Sequence, residues 1–82
     1  MNKFYTAALS YWESQKDEAI ATLELYFNKS VGIGEHSKIL EEIHIWTHKL
    51  SEATENIDSL KTYFDESGGV KDDNKTKKLL ND

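Results

Sequence analysis

The sequence predicts an all-α protein, an antiparallel two-helix hairpin of coiled-coil type that is expected to dimerise into a four-helix bundle. Three observations predict it. Ile39, Ile43, Trp46, Leu50, Ala53, Ile57, Leu60 and Phe64 recur at alternating spacings of four and three, a heptad seam that only a helix gathers on one face. Tyr5, Leu9, Trp12, Ala19, Leu23 and Tyr26 repeat the spacing upstream, with Lys16 where one apolar residue is missing. Between them lies a short connection holding two glycines, Gly32 and Gly34.

The first helix is expected over residues 3–28. Ile20 and Phe27 are expected to widen its buried face, and Ala, Leu, Glu and Gln fill its middle, so local preference agrees with the pattern. A second stripe, Phe4, Ala8, Tyr11, Thr22 and Leu25, runs beside the first and is interrupted at Gln15 and Glu18. One neighbouring helix cannot cover both stripes, so this helix is expected to touch more than one.

The turn is expected over 29–35, with Asn28 in a left-handed helix-ending conformation and the glycines supplying backbone freedom. A connection this short makes the two helices antiparallel neighbours. The second helix is expected over 36–66, ended by Ser67-Gly68-Gly69. Folding at the middle of the turn pairs residues whose numbers sum to about 62, by simple chain geometry. Lys16 then meets Trp46, Trp12 meets Leu50, Leu9 meets Ala53 and Tyr5 meets Ile57. In this register Lys16 lays its stem along the Trp46 indole, while Leu60, Tyr63 and Phe64 overhang the start of the first helix. The overhang demands a cover, either the tail folded back or a second chain. Residues 70–82 are mostly charged with one apolar pair, Leu79-Leu80, and residues 68–82 are expected to be a flexible tail with a short helical turn around Lys75 to Leu80.

Composition narrows the function. An 82-residue chain sits where one core supplies only a few kcal/mol. Without cysteine a disulfide cannot help, so self-association is the expected support. Residues 1–67 carry six Lys against twelve acids, and the chain has no Arg. That balance repels phosphate backbones and lacks the planar fork used for phosphate and guanine, so no direct nucleic-acid binding is expected. Charge enters soon after Met1-Asn2-Lys3-Phe4, leaving neither a signal-peptide core nor a membrane span. The expectation is a cytoplasmic protein without a membrane partner.

No enzyme, cofactor or metal is expected. Glu41, His44 and His48 have metal-ligand spacing on a helix, yet the register turns them away from the seam. Gly32-Ile33-Gly34 lacks the lysine ending of a phosphate loop and follows a helix rather than a strand. Asn28-Lys29-Ser30 and Asn74-Lys75-Thr76 match the glycosylation triplet by chance. The informative surplus is aromatic: nine aromatic residues in 82, several off the seam. The candidate interaction surface is therefore Phe4, Tyr11, Leu25, Leu60, Tyr63 and Phe64, since aromatic anchors carry much of the energy at interfaces. The expected partners are a second copy of the chain and another protein. An alternative reading makes the chain an acidic nucleic-acid mimic that inhibits a host enzyme, with Glu41, Glu42, Glu52, Glu55 and Asp58 as its charged row.

The run from Ala21 to Ser37, above all Val31-Gly32-Ile33-Gly34-Glu35-His36 between a Leu-rich helix end and an acidic helix start, resembles the turn region of small helical-hairpin proteins of large contractile-tailed bacteriophages. The resemblance covers the second half of the first helix through the middle of the second. It implies a phage origin, a helical hairpin and a place in the host cytoplasm, and it assigns no residue a role.

Overall fold

A computed structural model describes residues 1–29 and 36–71 of the chain. It is helical, with α1 over Lys3–Lys29 and α2 over His36–Tyr63 packed against each other. The turn expected over 29–35 and the tail beyond Lys71 therefore lie largely outside the described residues. Lys29 itself still belongs to α1.

Helix α1 starts at Asn2. Its side-chain Oδ1 accepts from the backbone N–H of Phe4 at 2.9 Å and of Tyr5 at 3.1 Å, satisfying two amides that have no partner within the helix. At the other end Asn28 stays helical, and its Nδ2 donates to the carbonyl of Glu24 at 2.8 Å. The expected left-handed ending at Asn28 is corrected: among the described residues only Gly68 has a positive φ.

The seam lies where the heptads put it. Ala19, Leu23, Ile39, Ala53 and Ile57 are buried, Ala19 and Ala53 with no exposed surface at all. Tyr5, Leu9, Trp12, Lys16, Tyr26, Ile43, Trp46, Leu50 and Leu60 are half-buried along the same lines. Ile20 and Phe27, expected to widen the face, are exposed. They follow Ala19 and Tyr26 by one position, and a two-helix contact covers only the narrow stripe itself.

The helices are antiparallel, because the start of α1 meets the end of α2 and the reverse holds at the other end. The backbone N–H of Asn2 donates to the carbonyl of Glu66 at 2.8 Å, and the Tyr26 hydroxyl donates to Glu42 Oε1 at 3.3 Å. Both contacts pair residue numbers that sum to 68, so the register differs from the expected one by about a heptad. Tyr5 shares a hollow with Leu60 and Phe64 in place of Ile57, and Lys16 borders one with Thr54 and Ile57 in place of Trp46. A slide of one heptad returns apolar positions onto apolar positions, so the spacing alone allows both registers. The lysine over the Trp46 ring is Lys49, with Nζ 5.3 Å from the ring centre, whereas Lys16 Nζ pairs with Glu13 at 3.1 Å. Leu60 and Phe64 accordingly do not overhang α1; they lie level with its first turns.

Helix α2 ends at Tyr63, three residues short of the expected 66. Asp65 captures the chain there. Its Oδ1 accepts from the backbone N–H of Ser67 at 3.0 Å and of Gly69 at 3.1 Å, and from the Ser67 hydroxyl. A short carboxylate that bonds amides just ahead of it competes with helix continuation. Gly68 takes φ 85° to close this turn, a conformation that costs residues with a Cβ. The chain then doubles back, Phe64 bridging to Val70 in antiparallel fashion. Lys71 donates its backbone N–H to the carbonyl of Tyr63 at 2.7 Å and its Nζ to that of Lys61. Residues 68–71 are thus not part of a free tail; they fold back so that Lys71 caps the carbonyls of Tyr63 and Lys61 at the end of α2.

Candidate interaction surface

Residues that directly follow a seam position converge on one broad face of the hairpin. Glu13 follows Trp12 and Lys61 follows Leu60, and the two form an ion pair at 3.8 Å. Residues that directly precede the seam must then converge on the opposite face. Phe4, Tyr11 and Leu25 precede Tyr5, Trp12 and Tyr26; Ile45 and Tyr63 precede Trp46 and Phe64. All five are exposed, so this face carries an apolar and aromatic stripe on both helices.

The stripe is richest where α1 begins and α2 ends. There a shallow hollow of about 330 Å³ is walled by Phe4, Tyr5, Ala8, Leu60 and Phe64, with Asn2 and Gly68 at its edge. Phe4 is 89% exposed and Phe64 36%, while Leu60 is half-buried and forms the floor. Three of the six expected surface residues, Phe4, Leu60 and Phe64, are therefore brought together. Tyr11 lies two turns further along α1, its ring edge-on to Trp12 with centroids 4.8 Å apart and planes at 80°. Leu25 is 21 residues from Phe4, about 31 Å along the helix, and stands apart from the cluster. Tyr63 is exposed outside the walls of the hollow.

Sequence reasoning missed Ile45, which extends the stripe on α2, and Asn2, whose cap fixes Phe4 at the rim. The signal for Asn2 was present in its place directly before a helical run. Ile45 hides in the near-continuous apolar run Ile43 to Trp46, where the seam takes the two flanking positions.

Charged groups share part of this face, since Glu18, Glu42, Lys49 and Glu52 directly precede Ala19, Ile43, Leu50 and Ala53. Glu41, His44 and His48 are exposed on α2, and among the described residues no three His, Cys, Asp or Glu side chains gather into a metal-sized cluster. Glu52, Glu55 and Asp58 are also exposed, with Lys49 and Lys61 on the same helix. Glu42 is half-buried against Tyr26. Loss of solvent around the Tyr26 phenol, and then the neighbouring Glu42 carboxylate, raise its pKa above the ordinary phenol value. The Asp65 carboxyl is held below the ordinary aspartate value, first by the Ser67 hydroxyl; partial desolvation opposes this, and the Ser67 and Gly69 amides add to it. Among the described residues no helix is long and apolar enough to cross a membrane.

Comparison with known proteins leaves the geometry to speak alone: no family model, curated protein or solved structure matches the chain.

Proposed function

We propose that this hairpin is a non-enzymatic binding protein whose first partner is a second copy of itself. The observation that carries the reading is the exposed apolar hollow, with Phe4 standing 89% exposed at its rim. A side chain of that size gains on the order of 1.5 to 3 kcal/mol when fully buried. The hairpin has reason to seek such burial. Among its described residues only five apolar ones are buried, and no large side chain is fully enclosed. Chains this small usually draw on a further source of stability, and cysteine is absent. Two hairpins joined by the Phe4, Tyr11, Ile45 and Tyr63 faces make a four-helix bundle, with Leu25 available at its far end.

The likeness of the run Ala21 to Ser37 to phage hairpin proteins implies a phage origin, and a phage dimer of this kind would act as an accessory or host-directed factor. The acidic residues on α2 are those of a solubilising surface, and no cluster of them favours nucleic-acid mimicry over that. Sedimentation equilibrium at micromolar concentration tests the proposal. A mass near twice the 9.4 kDa of one chain, little affected by salt, is expected of an apolar interface. A helical monomer whose melting temperature does not change over a hundredfold range of concentration would overturn it.

A further inference from the structure

The aromatic face carries charged side chains in its middle, and we infer, resting on the dimer proposed above, that the two copies lie with both turns at the same end, held in that orientation by two Glu18–Lys49 ion pairs between chains. Glu18 and Lys49 are exposed on the face, and among the described residues neither is paired with an opposite charge. Lys49 Nζ rests instead over the Trp46 ring. A charge brought into an interface without a counterpart loses its water and gains nothing in return. The orientation of the dimer is therefore set by whether the two meet.

The contacts that fix the register pair residue numbers summing to 68. On the aromatic face Phe4 and Tyr63, Glu18 and Lys49, and Thr22 and Ile45 each sum to 67, so the members of each pair stand at one height on the two helices to within about 1.5 Å. A two-fold axis parallel to the helices sets α1 of one copy over α2 of the other with heights unchanged. Phe4 then lies over Tyr63, Thr22 over Ile45, and each Glu18 over the Lys49 of the second copy. Glu52 comes over Gln15, whose amide is able to donate to it, and Glu42, already bonded to Tyr26, comes over Leu25 near the turn. A two-fold axis across the helices instead sets α1 over α1 running the opposite way. Matching the apolar ends then puts Phe4 over Leu25, and the same shift puts Glu18 over Tyr11 and Lys49 over Ser59. Neither charge meets its opposite in that arrangement. Charge pairs of this kind fix orientation more than they add affinity, which agrees with the weak salt dependence expected of an apolar interface.

Charge reversal on the full-length chain, read by sedimentation equilibrium, tests this orientation. Glu18→Lys alone, or Lys49→Glu alone, sets like charges together twice in the dimer, and each is expected to self-associate about tenfold more weakly than the wild type. An equimolar mixture of the two single variants restores both pairs, one of them with its signs exchanged, and is expected to dimerise as tightly as the wild type; so is the variant carrying both changes. The two substitutions shift the net charge in opposite senses, so a general charge effect does not weaken both. Circular dichroism at low concentration checks that each variant is as helical as the wild type. A wild-type chain that stays monomeric would remove the dimer itself. With the wild type dimeric, three results would overturn the orientation and leave the dimer standing: single variants that associate like the wild type, weakening confined to one of them, or weakening of both without recovery on mixing.

Discussion

Asn2 is held twice: its backbone N–H donates to the carbonyl of Glu66 at 2.8 Å, and its side chain lies against Gly68 so closely that a Cβ there would come within 2.7 Å of Asn2 Nδ2. One residue thus starts α1, fixes the register of the two helices and supports the turn after α2. The hollow flanked by Phe4 and Phe64 exists because this joint places the first turn of one helix beside the last turn of the other.

Replacing Asn2 removes the acceptor for the Phe4 and Tyr5 amides. Asn2→Ala should lower stability by about 1 kcal/mol, and Asn2→Gly by a few tenths, as helix caps do. In a chain of this size about 1 kcal/mol moves the melting temperature by roughly 4 to 8 °C, which a thermal scan at fixed concentration resolves. Equal melting temperatures for the wild type and the alanine variant would mean that the cap is not formed.

The two glycines of the turn should respond differently. Gly68→Ala meets both a positive φ and the Asn2 side chain, and should cost about 1 to 2 kcal/mol, the scale of a left-handed residue with a Cβ. At Gly69 the nearest neighbour of a new Cβ is the Ser67 hydroxyl oxygen at 3.3 Å, which can rotate, so Gly69→Ala should be much milder. Combining Asn2→Ala with Gly68→Ala should cost less than the two changes separately, since the two nearest atoms, Asn2 Nδ2 and Cγ, are then already removed. Urea denaturation of the four variants measures this coupling, and strict additivity would count against the contact.

Asp65 makes the same turn sensitive to acid. Its carboxyl titrates below the ordinary aspartate value in the folded protein, chiefly because the Ser67 hydroxyl bonds the charged form. A depressed folded pKa means that the contribution is present above the unfolded value, about 3.9, and is lost as pH falls through the lower folded one. Nuclear magnetic resonance titration should show the Gly69 amide shifting with that midpoint, and Asp65→Asn should abolish the shift. A midpoint at or above the ordinary value would contradict the geometry.

Much of this was legible in the sequence, and the exceptions have two causes. The 4, 3 spacing marks which residues face the partner helix, and Ala19, Leu23, Ile39, Ala53 and Ile57 are buried as it requires. The same spacing is blind to a slide of seven residues, so it also allows Lys16 opposite Trp46, whereas Lys16 lies beside Thr54 and Ile57. The end of α2 was placed by the glycines, although the residue that stops the helix is Asp65, acting through its side chain on Ser67 and Gly69. Phe4 and Tyr11 were legible as off-seam aromatics. That Leu60 and Phe64 join Phe4 in one hollow while Leu25 does not depends on the register, which only the Asn2 and Tyr26 contacts reveal.

The buried stripe should tolerate neither loss nor gain of volume. Ile57→Ala empties a site only 8% exposed and should cost about 2 to 5 kcal/mol, which is a large part of the stability of so small a domain. Ala53 has no exposed surface, so Ala53→Leu should force the helices apart at about 1 to 3 kcal/mol. Far-UV circular dichroism against urea reads both. If Ala53→Leu proved stabilising, the helices would be further apart at that level than the fold allows.

Phe4 separates the stability of the hairpin from that of its proposed dimer. Its side chain is almost wholly exposed, so within one chain Phe4→Ser should change little, on the order of 0.5 kcal/mol or less. In a dimer that buries Phe4 the same change removes an anchor of the interface, and a loss of about 2 kcal/mol or more weakens association some thirtyfold. The expected outcome is a melting temperature close to that of the wild type at the lowest concentrations and well below it at high concentration, where the wild type gains from mass action. Sedimentation of the two proteins side by side supplies the check. Indistinguishable mass and melting behaviour for both across that range would show that Phe4 lies outside any interface, and the aromatic face would lose its proposed role.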